Sequence, residues 1–183
     1  MRKSTLALAV LVVVGYCALP HAQTRNDTVA ATLDERRVAI LNRLRNEINA
    51  TYGFMNGVPR INLGPCGRFA KLFREQWNTR FRDKINIVFV MVKAPAGPFC
   101  GHIVVRLPDG SYFDGGNGVV SGAALGLQFP ESYLEEMKQF DLKRLDQNAG
   151  GLDRKYETCP NYSDTETSKL IERYLILLPR DIE

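Results

Sequence analysis

Three side chains suited to acyl-transfer chemistry occur in the order Cys66, His102, Asp114. Cys66 lies in Gly64-Pro65-Cys66-Gly67, ahead of a stretch with helical periodicity. The thiolate is the nucleophilic form of cysteine. The unpaired N–H groups of a helix N-terminus favour it over the thiol. The same N–H groups can hold an oxyanion, which gives the Gly67 amide a part beside the thiol. Of the two histidines, His21 lies in a leader-like N-terminus, so His102 is the imidazole left to act as base. Asp114 follows in Ser111-Tyr112-Phe113-Asp114, where a carboxylate could fix the imidazole tautomer and stabilise the imidazolium.

The elements that must position these groups can be read from hydrophobic period. Residues 30–50 predict a helix, with Val29, Leu33, Ile40, Leu41, Leu44 and Ile48 on one stripe. Residues 52–65 are rich in glycine and proline and predict a loop. A second helix begins at Cys66, with Phe69, Ala70, Phe73 and Trp77 on its apolar face. The run Ile85–Val92 is rich in β-branched residues and predicts a buried strand. His102–Leu107 and Ser111–Asp114 flank Pro108-Asp109-Gly110 and predict a β-hairpin. With a three-residue loop, Leu107 pairs with Ser111, and His102 falls diagonally from Asp114 on the same face. A two-residue loop would put them on opposite faces. Gly115–Gly118 predicts a flexible loop at the rim, 131–145 a helix and 147–162 an irregular segment. Ser163-Asp164-Thr165-Glu166 reads as a capping box for a last helix over 164–178. Helices followed by an antiparallel hairpin predict an α+β fold.

The segments Gly64–Ala70, Cys100–Leu107 and Asp109–Asp114 together resemble the papain-like superfamily in its broad sense. The order of residues is nearest the transglutaminase-like and bacterial cysteine-protease branches. The likeness runs from about residue 60 to residue 118. It implies a Cys-bearing helix packed on a small antiparallel sheet, with Cys66 as nucleophile, His102 as general base and acid, and Asp114 as orienting carboxylate. The one glutamine upstream of Cys66, Gln23, adjoins the leader-like stretch, so no clear glutamine serves as a side-chain oxyanion donor. Asn62 is the nearest amide.

Arg2 and Lys3, then an uncharged run from Leu6 to Val14, then small residues to Ala22, have the layout of a secretory signal peptide. The run is shorter than the about 20 apolar residues of a spanning helix. Residues 1–22 are therefore expected to be a leader and 23–183 a single secreted or periplasmic domain without stable membrane insertion. Losing two basic residues and no acidic ones halves the formal net charge of +4. That balance argues against nucleic acid as a partner.

Cys17 belongs to the leader, so Cys66, Cys100 and Cys159 remain, an odd number in an exported chain. The expectation is a Cys100–Cys159 disulfide that leaves Cys66 free. The rival is a Cys66–Cys100 bond that silences the thiol. A single histidine suits no zinc hydrolase, and no phosphate-binding or dinucleotide motif is present, so neither a metal nor a cofactor is expected. Two functions follow from the sequence. One is a secreted thiol hydrolase acting on a peptide, amide or isopeptide bond in protein or cell-wall peptide, or an acyltransferase using the same residues. The other is a non-catalytic secreted binding protein with structural cysteines.

Overall fold

The computed structural model describes residues 24–137 and 156–179, with side chains from residue 35 onward. The expected leader, residues 1–22, lies outside the described residues. Helix α1 runs over Thr24–Tyr52. Its face of Ile40, Leu41, Leu44 and Ile48 is buried, as the stripe predicts. A short hairpin follows, with strands β1 (Phe54–Met55) and β2 (Val58–Pro59). Its Asn56-Gly57 turn has φ of 52° and 78°, the positive values that a tight two-residue hairpin loop demands. One 3-10 turn, Arg60–Asn62, leads into helix α2, Cys66–Arg80. Phe69, Ala70, Phe73 and Trp77 are all buried on α2.

The rest of the frame is an antiparallel sheet. Strands β3 (Asn86–Val92), β4 (Phe99–Arg106), β5 (Tyr112–Asp114) and β6 (Gly118–Val120) follow one another as a meander. Helix α3 (Gly122–Gln128) then carries the chain to strand β7 (Ser132–Glu136), which pairs with the other side of β3. The order is β6-β5-β4-β3-β7. Helix α4, Asp164–Leu175, closes the described chain. Ser163 Oγ accepts the Glu166 N–H at 3.3 Å, the cap that the sequence predicts.

Residues of alternating parity on β3 and β4 enter two cores, as the period of two in a strand requires. Ile87, Phe89, Met91, Ile103 and Val105 join α1, α2 and α4 in the main core. Val88, Val90 and Val104 form a smaller cluster on the other face with Leu125 of α3. The fold is thus α+β, helices against a five-stranded antiparallel sheet, as expected.

Three expectations need correction. Residues 132–136 form β7, not the start of a helix over 131–145; residues 138–145 lie outside the described residues. The exposed edge of β3 offers a row of backbone N–H and C=O groups. Pairing them with β7 outweighs the weak local preference of Ser132-Tyr133-Leu134-Glu135-Glu136. The predicted disulfide is also absent: Cys66, Cys100 and Cys159 are all free thiols. Cys100 Sγ turns to the carbonyl of His102, 3.3 Å away. Cys159 Sγ is buried beside Asn161 Oδ1 at 3.8 Å, within its own turn. A disulfide needs its two Cβ atoms about 4 Å apart with their bonds converging, and the Sγ atoms of Cys100 and Cys159 are directed instead to His102 O and Asn161 Oδ1. The rival Cys66–Cys100 bond is absent as well. Third, Gly115, Gly116 and Gly118 are buried and their segment is held by hydrogen bonds, so it is not a flexible rim.

Among the described residues no helix is long and apolar enough to cross a membrane.

Candidate active site

Cys66 is the first residue of α2 and is buried. Pro65 occupies the cap position and supplies no side-chain hydrogen bond to the helix. The first-turn N–H groups, including that of Gly67, therefore have no partner within the helix and no side-chain cap. Gly64 permits the entry, since a Cβ there would lie 3.0 Å from the Tyr156 ring and 3.2 Å from Thr158 Oγ1.

His102 lies on β4 beside an irregularity of the ladder. Val90 faces His102 and Met91 faces Cys100, which leaves Gly101 as an extra residue. A side chain at 101 would meet Val92 Cγ2 at 2.7 Å, so glycine is what lets the strand bulge here. The hairpin has the three-residue loop. Leu107 N–H donates to Ser111 O at 2.9 Å, Arg106 faces Tyr112 and Val105 faces Phe113. This register brings His102 Nε2 to 3.1 Å from Asp114 Oδ2, and both residues are almost completely buried. The Phe129 ring stacks on the imidazole with centroids 5.5 Å apart.

The electrostatics follow from that burial. Desolvation would lower the His102 pKa, but the hydrogen bonds to Asp114 and to Cys66, with the charges of both, push it up to about 10. Burial likewise opposes ionisation of Asp114. The bond to His102 and its charge, with donors from Asn117 and Asn62, hold that carboxyl below the usual range. Nε2 is the ring nitrogen held by Asp114, while the Cys66 Sγ lies 4.0 Å from the Gly64 carbonyl.

Asp114 accepts more bonds than its pairing with His102. Oδ1 receives Asn62 Nδ2 at 3.0 Å, Gly116 N at 2.8 Å and Asn117 N at 2.6 Å. Oδ2 receives Asn117 Nδ2 at 3.1 Å. Asn62, considered from the sequence as an oxyanion donor, thus directs its amide N–H to Asp114. Asn117 and Gly116 were not singled out from the sequence. The signal for them was the Asp-Gly-Gly-Asn string, since an aspartate readily bonds the backbone two and three residues on. Among the described residues no three His, Cys, Asp or Glu side chains are grouped as a metal site requires.

Comparison with protein-family models, with curated proteins and with solved structures returns no match.

Proposed function

We propose that this chain is an exported thiol hydrolase of the broad papain-like and transglutaminase-like kind, acting through Cys66, His102 and Asp114. The observation that carries the reading is the buried His102–Asp114 pair, with Cys66 buried at an uncapped helix start and favouring the charged imidazole. The Cys66 thiolate attacks a carbonyl carbon, and the first-turn N–H groups of Cys66 and Gly67 hold the oxyanion. The His102 imidazolium gives its Nδ1 proton to the leaving amine. The C–N bond breaks and a thioester forms on Cys66. Neutral His102 then takes a proton from water, whose oxygen attacks the thioester and releases the acid and the thiolate. The substrate is a peptide, amide or isopeptide bond in protein or cell-wall peptide. An acyltransferase differs only in an amine taking the place of water. The leader-like residues 1–22 support export.

A second reading is a binding protein with a structural Cys66. It draws on burial, since Cys66 exposes 4% and His102 2% of their surface.

Iodoacetamide labelling at neutral pH with peptide mapping separates the two. The hydrolase reading expects Cys66 to alkylate faster than Cys100, although Cys100 is more exposed. Mass-spectrometric assay on protein and cell-wall peptide pools should show amide cleavage that Cys66→Ser and His102→Ala each abolish with a native circular dichroism spectrum retained, His102→Ala at a lowered melting temperature because it leaves the buried Asp114 unpaired. An unreactive Cys66, or turnover surviving His102→Ala, overturns the reading.

A further inference from the structure

Asn62 stands four residues before Cys66, on the 3-10 turn that feeds α2. Its amide crosses to Asp114 Oδ1, a residue 52 positions away in the chain. One short piece of backbone therefore carries the thiol at one end and grips the carboxylate at the other. Asn117 grips the same carboxylate through its backbone N–H to Oδ1 and its side-chain amide to Oδ2. The fit leaves no slack. A Cβ on Gly116 would come to 2.5 Å from Asn62 Nδ2, so the glycine makes room for the amide. The loop that carries Asn117 is fastened to α1. Asn49 Nδ2 donates to Gly116 O at 2.9 Å, Asn42 Oδ1 accepts the Val119 N–H at 3.1 Å, and Arg45 Nη1 reaches Asn117 O at 3.4 Å.

We propose that Asn62 is a positioning residue that registers the Cys66 arm against the His102–Asp114 pair, with Asn117 as its counterpart, bonded to both carboxylate oxygens. This rests on the thiol-hydrolase reading of the site and deepens it. The two amides act through Asp114 and touch no substrate. Donors aimed at both oxygens leave the carboxylate one rotamer, with Oδ2 on the imidazole. They also favour its charged form, because each is a hydrogen bond to an anion. The Asn62 bond adds a mechanical constraint, since any swing of Asp114 away from His102 must break it or pull on the entry to α2. The titratable groups that face the imidazole are Asp114 from β5 and Cys66 from α2. Arg45 of α1 bonds the loop at the Asn117 carbonyl and is not among the groups that act on the imidazole charge.

The test uses Asn62→Leu, which removes the donor at similar size, and Asn117→Ala, which removes the side-chain amide but keeps the backbone N–H. NMR titration of the Asp114 carboxyl carbon and the His102 ring gives a readout that stability alone would not move. In each variant Asp114 should titrate about one pH unit higher, the size expected from losing one hydrogen bond to a charged group, and the His102 midpoint should fall. The turnover number should fall about tenfold, with KM far less affected, as for a misplaced base. Asn62→Asp should act more strongly at neutral pH, where two carboxylates would face each other, and recover part of the rate in acid, where the new carboxyl can donate. A folded Asn62→Leu whose Asp114 and His102 titrations overlay the unaltered protein overturns the proposal, and Asn117→Ala decides it if that variant fails to fold. Should the unaltered chain cleave nothing and leave Cys66 unreactive, the hydrolase reading falls, while the titrations still decide the role of the amides.

Discussion

The imidazole of His102 sits where two opposing influences on a titratable group nearly meet. Burial disfavours its charge, and its partners more than restore it, to a pKa of about 10. The sign of the pH dependence follows. A folded pKa above the ordinary 6.5 contributes stability in full below pH 6.5, and that contribution fades as pH rises through about 10. Asp114, held below its ordinary 3.8, contributes above that value and loses the contribution as the solution becomes more acid. The pair should therefore stabilise the fold most between about pH 4 and 6.5. The melting-temperature gap between the natural protein and Asp114→Asn should be widest there and narrow toward pH 10. Asp114→Asn should also cost about 1–3 kcal/mol within that window, because its amide group must face a donor already aimed at the carboxylate. A gap that stays constant from pH 4 to 10 would show that the His102–Asp114 charge pairing contributes nothing to stability.

The hairpin of β4 and β5 was legible because local chemistry decides it. Pro108-Asp109-Gly110 sets the loop length, and the loop length sets the register that joins His102 to Asp114. The helix at Cys66 was legible for a similar reason, in the stripe of Phe69, Phe73 and Trp77. The hold on Asp114 was not, because Asn62 and Asn117 meet only after the sheet and α1 have brought distant segments together. β7 was hidden for the opposite reason. Its own residues alternate poorly, with Tyr133 and Leu134 both exposed, and the unpaired edge of β3 recruits them. Between these extremes lies the glycine segment after β5. Composition alone suggested looseness, whereas its glycines serve close approach. Gly118 has φ of +82°, and a Cβ there would collide with Asn42 Oδ1, the atom that accepts the Val119 N–H. Gly118→Ala should destabilise the protein by about 1–3 kcal/mol in urea denaturation, with Gly126→Ala, at an open helical position on α3, as the near-neutral or mildly stabilising control. Equal effects at the two positions would refute this role for Gly118.

At the scale of the molecule the sheet is built almost wholly from neighbours in sequence. β3 to β6 form a meander, and only β7 returns across it, after α3, to pair with β3. Loop closure makes such a long-range pairing the slower one to establish, since its entropic cost must be met before its contacts contribute. In refolding followed by pulsed hydrogen exchange, the Met137 amide, which bonds Ile87 O, should gain protection after the Leu107 amide, which bonds Ser111 O. Simultaneous protection would refute that order. The same detour carries Phe129 to the face of His102, at the turn between α3 and β7. The nascent protein can thus form its hairpin and join His102 to Asp114 before the aromatic wall arrives. During that interval the imidazole would be open to water on the side that Phe129 later covers, and the enclosure of the His102–Asp114 pair becomes a timed event governed by the return of a strand that supplies neither residue.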